Sequence, residues 1–166
     1  MRAVRFAAVL LALAGCASIP NLEAEKACEA VHLEVVMKGG SPQNLSPEGQ
    51  SMAVDVRVYA LAKRDAFDRL DQDAALTKAE DALGADMLAN TRVTVYPADE
   101  EIVPMSVPLK TRYVALVGLF RRADGDGWSR VIDVSPLVAK CKPGDLAGLI
   151  RAQIVDNRIQ APATVE

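Results

Sequence analysis

The chain has 166 residues, of which 51% are hydrophobic and 25% are charged, and its formal net charge is −3. This composition and length are typical of one globular domain. No basic excess is present to neutralise phosphates, and aromatic residues make up only 4% of the chain. Both facts argue against nucleic acid as a partner.

The first fifteen residues have the pattern of a targeting segment. Arg2 and Arg5 give it a positive start, and residues 6–14 form an uncharged apolar run. This run is shorter than the roughly 20 apolar residues that a helix needs to span a bilayer. We therefore expect residues 1–15 to be a cleaved export signal, followed by an exported domain.

Small residues at the end of the apolar run fit two kinds of signal. A plain secretory signal would be cleaved after Ala14 or after Ala17, because each ends a small-x-small pattern. Residues 13–16, "LAGC", resemble a bacterial lipobox, which implies cleavage before Cys16 and attachment of diacylglycerol and acyl chains to it. Two or more acyl chains hold a protein stably on a membrane. By the same resemblance, the absence of Asp after the cysteine implies sorting to the outer membrane.

The remaining cysteines, Cys28 and Cys141, are candidates for a disulfide. An exported protein meets an oxidising periplasm, and only one intramolecular pairing is left once Cys16 carries lipid. A bond that closes a loop on the order of 100 residues stabilises by about 4–5 kcal/mol in the loop-entropy model. Two unpaired, buried thiols are the alternative.

The first half of the domain predicts two strands and a helical insertion. Residues 16–29 form a tether or a short helix, and the pattern does not decide between them. Alternating apolar residues predict a strand over residues 30–38, a polar loop over residues 39–51 and a second strand that ends at residue 61. Residues 64–89 are rich in Ala, Leu and Asp, which favours one or two short amphipathic helices.

The second half returns to the period of two that is typical of strands. Pro104 and Pro108 predict an edge strand, because proline donates no hydrogen bond. Residues 113–120 are apolar throughout and predict a central strand buried on both faces. Two Asp-Gly dipeptides before Trp128 predict a turn, and a last hairpin is expected around residues 156–157.

These segments predict a mostly β fold, an antiparallel β-sandwich of about seven to eight strands. The sandwich should occupy residues 30–161, with the helical insertion at about residues 64–89 and a C-terminal tail over residues 162–166.

The sequence contains few residues in patterns that are typical of catalysis or metal binding. His32 is the one histidine and lies on the polar side of a strand pattern, so no Ser–His–Asp arrangement is indicated. No pair of Cys or His has metal-ligand spacing. Asp124 and Asp126 lie in a "DGDG" turn that lacks the further ligands of a calcium loop. The sequence therefore predicts no catalytic residues, no metal and no cofactor beyond the lipid on Cys16.

Several short stretches follow one another in an order that resembles a known family. They are Asn44-Leu45 and Gly49 before "VDVRVYAL", Phe67 and Leu70 before "LGADML", Thr111-Arg112-Tyr113 before the apolar strand, Phe120-Arg121, and Trp128 at the next strand. This ordered set, behind a lipobox, resembles the TssJ (SciN- and VasD-like) outer-membrane lipoproteins of the bacterial type VI secretion system.

The resemblance implies a transthyretin-like or C2-like sandwich with a structural, non-enzymatic role. It implies a lipid-anchored protein on the periplasmic face of the outer membrane, which docks the periplasmic C-terminal region of TssM, an inner-membrane subunit. The loop between the first two strands is implied in that contact. Here that loop comprises Gly39, Gly40, Ser41, Pro42, Gln43, Asn44, Leu45, Ser46, Pro47, Glu48, Gly49, Gln50 and Ser51.

Two alternatives remain open from the sequence. Asn44 could brace a turn through its side chain and not contact a partner. The protein could also be an envelope lipoprotein that binds a small ligand or a polymer, or that inhibits an envelope enzyme; few aromatic residues are present to line a pocket for this purpose. A hydrolytic lipoprotein is the weakest option, because no catalytic constellation is evident.

Overall fold

Eight strands form two four-stranded sheets in a computed structural model, which describes residues 28–165. Cys16, the predicted signal and most of the predicted tether lie outside the described residues. The elements are β1 Ala30–Gln43, β2 Val54–Leu61, α1 Gln72–Thr77, α2 Ala79–Leu83, β3 Met87–Val95, β4 Glu100–Pro108, β5 Tyr113–Gly118, β6 Ser129–Asp133, α3 Ser135–Ala139, β7 Leu146–Asp156 and β8 Arg158–Gln160.

The strand orders are β4-β1-β7-β8 in sheet A and β3-β2-β5-β6 in sheet B. Five of the strand pairs that the structure describes are antiparallel, and the pair of β1 and β7 is parallel. The predicted class, a mostly β fold with an antiparallel β-sandwich of about seven to eight strands, is confirmed. The parallel pair was not predicted, because all four strands of sheet B lie between β1 and β7 in the sequence.

The core lies between the sheets and follows the predicted alternation. Val31, Leu33, Val35 and Met37 of β1 are essentially inaccessible to solvent and face the equally buried valines of β2. Each such side chain stabilises the fold by roughly 1.5–3 kcal/mol through removal of apolar surface from water.

The two strands with the clearest sequence signals lie where they were predicted. β5 is central in sheet B, and its residues Val114–Gly118 are all buried. The predicted extension to residue 120 was wrong, because β5 ends at Gly118 and Leu119 is 50% exposed in the following connection. β4 is an edge strand and contains both Pro104 and Pro108.

A helical layer covers the outer face of sheet B. Phe67, Ala75, Ala79 and Leu83 pack there as part of a second apolar cluster, which includes Tyr59 and Leu61 of β2 and Ala115 and Val117 of β5. The side chain of Asp71 caps α1 by accepting a hydrogen bond from the Ala74 N–H at 2.8 Å. Residues 87–89, expected at the end of this insertion, belong to β3, because the chain turns at Gly84, where φ is +49°.

The predicted loop over residues 39–51 was wrong in its first part, since β1 continues to Gln43. Gly39 and Gly40 do not end the strand. A side chain at Gly39 would collide with the Tyr96 carbonyl oxygen, and one at Gly40 with the Ile154 carbonyl oxygen. These glycines are required for close backbone approach, and the connection to β2 comprises residues 44–53.

Two further observations concern membrane-spanning helices and metal ligands within residues 28–165. None of the helices in this range combines the length and the apolar character needed to cross a bilayer. The same range contains no group of three or more His, Cys, Asp or Glu arranged to hold a metal ion.

Candidate functional site at the loop end of the sandwich

Strand direction separates the molecule into two ends. β1 runs from Ala30 to Gln43 and spans about 43 Å at 3.3 Å per residue. Residues 44–53, 96–99, 119–128 and 157 connect strands at the end that β1 reaches, which we call the loop end. Cys28 and residues 109–112 and 134–145 lie at the opposite end, which we call the anchor end.

Gln43 closes the core at the loop end. Its side chain is completely buried, and its Nε2 donates to the carbonyl oxygens of Val95 at 3.0 Å and Met52 at 3.2 Å. Its Oε1 has no hydrogen-bond partner among the described residues. Gln43 thus joins the end of β1 to β3 and to the second half of the β1–β2 connection.

Asn44 ties together the connections of the loop end. Its Nδ2 donates to the Ala53 carbonyl oxygen at 2.8 Å, and its Oδ1 accepts from the Arg121 N–H at 2.9 Å. Its own N–H donates to the Asp156 carbonyl oxygen at 2.7 Å. The residue is 4% exposed and has a φ of +44°, a conformation that asparagine tolerates better than most residues. The bracing role that the sequence left open for Asn44 is the one its contacts favour.

The tip of the β1–β2 connection is a compact turn. The Ser46 hydroxyl oxygen accepts from the N–H groups of Glu48 and Gln50, each at 3.2 Å. Gly49 has a φ of +79°, which a residue with a side chain adopts only with strain. The turn is therefore fixed by its own hydrogen bonds.

Apolar side chains are exposed in three of the connections at the loop end. Leu45 and Met52 are each 41% exposed, and Tyr96 and Leu119 are 54% and 50% exposed. These are four of the eight large hydrophobic side chains that are exposed within residues 28–165. All four side chains are accessible to a partner that approaches the loop end.

The structure divides the predicted loop residues by accessibility. Gly39, Gln43 and Asn44 are buried, and their side chains or backbone hold the fold. The exposed ones are Ser41, Pro42, Leu45, Pro47, Glu48, Gly49 and Gln50, while Gly40, Ser46 and Ser51 are half-buried. The sequence did not single out Met52, Tyr96 or Leu119, because a lone apolar residue beside a turn carries no signal of its exposure.

A disulfide joins Cys28 to Cys141 at the anchor end. The two Cα atoms are 6.3 Å apart, and the cysteines are 113 positions apart in the sequence. The bond attaches the segment before β1 to the segment after α3.

His32, Asp124 and Asp126, the candidates for chemistry in the sequence, have ordinary structural surroundings. His32 is exposed on β1, and Asp124 forms an ion pair with Arg158 at 3.3 Å. Hydrogen bonding to Asp68 raises the pKa of Arg64, which is elsewhere on the surface. A cleft of about 700 Å³ lies beside them, and its charged lining residues are Arg64, Asp68, Asp126 and Arg130. These residues do not include a nucleophile paired with a base.

The fold and the loop end define a rigid β-sandwich that displays short loops, an arrangement typical of binding and scaffolding modules. The family model of the type VI secretion lipoproteins (VasD, EvfM, TssJ, VC_A0113) matches residues 31–155. The match covers three quarters of the chain, and the chain belongs to this family. The family predicted from the ordered motifs is therefore confirmed.

Solved structures agree with this assignment at the level of the fold. The T6SS lipoprotein TssJ1 from Pseudomonas aeruginosa superposes with a TM-score of 0.64 at 21% identity, over 80% of this chain and 97% of that one. Serratia marcescens Lip, a membrane-bound component of the type VI secretion system, gives 0.68 at 15% identity, over 79% and 96%. A chain of the structure described as the T6SS protein TssM C-terminal domain from EAEC gives 0.62 at 22% identity, over 80% and 99%. Comparison of the sequence with curated proteins finds no match.

Proposed function

We propose that this protein is a non-catalytic, lipid-anchored component of the type VI secretion membrane complex. In this proposal, Cys16 carries the acyl chains that hold the protein on the periplasmic face of the outer membrane. The loop end binds the periplasmic C-terminal region of the TssM subunit.

The observation that carries the proposal is the separation of the two ends by β1. Cys28, which begins the described domain, follows Cys16 after only eleven intervening residues. A lipid on Cys16 therefore attaches near the anchor end. The loop end then points away from the membrane by about 43 Å of strand. A partner that approaches from the inner membrane meets the loop end first.

The chemistry of the loop end suits a protein partner. Leu45 and Met52 flank a turn whose exposed residues include Pro47, Glu48 and Gln50. An apolar centre with a polar rim is the usual composition of a protein interface. Because Asn44 and Ser46 fix the backbone, little conformational entropy is lost on binding.

The comparisons support the choice of partner. The family consists of type VI secretion lipoproteins, and a structure described as a TssM C-terminal domain contains a chain with the same fold. A second structure with this fold, at a TM-score of 0.65, is described as a type VI membrane complex.

The test is a binding measurement on the full chain in detergent with the periplasmic C-terminal region of TssM. We expect the double variant Leu45→Asp, Met52→Asp to bind at least tenfold more weakly, because two carboxylates would be desolvated in the contact. The matched control is Leu109→Asp, Leu146→Asp, which changes side chains of similar exposure (46% and 48%) at the anchor end. Wild-type affinity of the loop-end variant would disprove the proposed contact.

The anchor is tested separately in cells. We expect Cys16→Ser to abolish secretion by the type VI system while the domain stays folded, because residue 16 would no longer have a thiol to which the lipid can be attached. Full secretion by this variant would contradict the anchoring role.

A further inference from the structure

The four sheet edges of the sandwich differ in how they are protected. β4 contains Pro104 and Pro108, which have no N–H to offer. β8 has only three residues. β6 is partly covered by the C-terminal segment, because the Asp133 N–H donates to the Ala163 carbonyl oxygen at 2.8 Å.

β3 has none of these protections. It is nine residues long and contains no proline, and among the described residues it pairs only with β2. A long, unprotected edge strand is a template for a further strand. Within residues 28–165, β3 is therefore the edge at which strand addition is least hindered.

The ladder of sheet B shows which groups of β3 point outward. The Asp55 carbonyl oxygen accepts from Leu119 and the Leu61 carbonyl oxygen accepts from Arg112, so the odd-numbered residues of β2 bond toward β5. The even-numbered residues of β2 bond toward β3, because hydrogen-bonded pairs alternate along an antiparallel ladder.

It follows that Asn90, Arg92 and Thr94 direct their N–H and C=O groups away from β2. These residues stand opposite Tyr59, Arg57 and Asp55 in the register. Their six backbone groups have no backbone partner within residues 28–165, and all three side chains are exposed.

The side chains beside this edge include two arginines, Arg57 and Arg92, which line one cavity together with the carboxylates of Asp55 and Asp73. Arg57 and Arg92 are directly opposite each other, and neither forms an ion pair among the described residues. The neighbouring Asp55 carboxylate accepts a hydrogen bond from the Thr94 hydroxyl at 2.6 Å. Like charges on opposed residues of two strands are destabilising, and an anion beside them removes the repulsion.

We propose that the free edge of β3 binds an extended segment of a protein partner with an Asp or Glu opposite Arg92. The partner strand hydrogen-bonds to Asn90, Arg92 and Thr94, and its carboxylate faces the two arginines. A second copy of this chain is a poorer occupant. The antiparallel register that uses all three residues would bring Arg92 opposite its own copy, with two Arg57 side chains beside them.

The experiment uses the full chain in detergent micelles and two short peptides. Both alternate Thr and Val, and one has Glu at its centre where the other has Lys. We expect the Glu peptide to protect the amides of Asn90, Arg92 and Thr94 from hydrogen exchange. It should bind about two- to fivefold more tightly than the Lys peptide, as for an exposed ion pair. Arg92→Glu should reverse this preference.

Two further variants separate the backbone contact from the charge. Arg92→Pro removes an outward N–H without removing a bond to β2, so it should abolish protection by either peptide. Arg92→Ala keeps that N–H and should retain protection while it reduces the preference for Glu. Neither variant alters residues 44–53, so TssM binding reports on the loop end independently.

Two outcomes would overturn the proposal. One is the absence of protection at residues 90, 92 and 94 with both peptides at millimolar concentration. The other is protection of these amides in the peptide-free protein that grows with protein concentration, which would assign the edge to a second copy.

Discussion

The two ends of the sandwich are held together by different chemistry. The anchor end has a covalent cross-link between Cys28 and Cys141. The loop end has no covalent cross-link among the described residues and depends on hydrogen bonds that the amide side chains of Gln43 and Asn44 donate and accept. The difference matches the proposed function. A disulfide resists force applied through a tether, whereas a hydrogen-bonded scaffold fixes the shape of a binding surface.

The disulfide should make the largest contribution to stability of any single feature. Replacement of both cysteines, Cys28→Ser with Cys141→Ser, should lower the free energy of unfolding by about 4–5 kcal/mol, because the bond closes a loop on the order of 100 residues in the unfolded chain. Urea unfolding of the variant and of the wild type, with and without reductant, measures this.

The comparison of the two ends also predicts which amides lose protection when the disulfide is removed. Amide exchange should accelerate first at Ala30 and Val31, beside the lost bond, while the amide of Arg121 at the loop end keeps its protection. Equal acceleration at both ends would show that the ends do not differ in this way.

At the loop end, we expect Asn44 to make the largest contribution to stability. Asn44→Ala removes two side-chain hydrogen bonds and puts alanine at a positive φ, so we expect a loss of about 3 kcal/mol. Asn44→Gly is the matched variant, because glycine loses the same bonds but accepts the backbone conformation, and it should lose about 1 kcal/mol less. Denaturant unfolding compares the three proteins. If the alanine variant is as stable as the wild type, Asn44 is not the brace.

Tyr59 lies between the two ends, where the helical layer packs on sheet B. Its hydroxyl donates to the Ala75 carbonyl oxygen at 2.7 Å, and the side chain is 3% exposed. Tyr59→Phe should cost about 1–2 kcal/mol, since that oxygen loses its donor. Neither end should change its exchange pattern.

The same residue gives an alkaline pH dependence. Burial raises the pKa of Tyr59 above its usual value of about 10. The folded state therefore holds this proton more tightly than the unfolded state. Its contribution is complete below about pH 10 and is lost as the pH rises toward the folded-state pKa. Stability measured between pH 9 and 11 should fall more steeply for the wild type than for Tyr59→Phe, and equal slopes would refute this assignment.

The elements that the sequence predicted well are those with a local cause. Proline excludes β4 from the sheet interior, and an unbroken apolar run buries β5 on both faces. Glycine has two different uses, however. The sequence predicted that Gly39 and Gly40 end a strand. In the structure, glycine is needed at these positions because the carbonyl oxygens of Tyr96 and Ile154, which are distant in sequence, leave no room for a side chain.

The candidate site shows the same limit. Asn44 braces the loop end through hydrogen bonds with Ala53, Arg121 and Asp156, and no pattern near residue 44 indicates these partners. The polar composition correctly predicted a connection over residues 44–51, whereas residues 39–43 belong to β1. Which residues support the surface and which form it are decided by tertiary contacts.

The smallest effect on stability is expected at the surface of the loop end. Because Asn44 and Ser46 hold the backbone, Leu45 and Met52 contribute little to its shape. Leu45→Asp with Met52→Asp should therefore change the free energy of unfolding by no more than about 0.5 kcal/mol, as for other exposed positions. Unfolding curves and the amide signal of Arg121 measure this, with Leu109→Asp, Leu146→Asp as the control. A loss above about 1.5 kcal/mol would mean that these side chains support the loop, and weaker TssM binding by this variant would then not identify a contact surface.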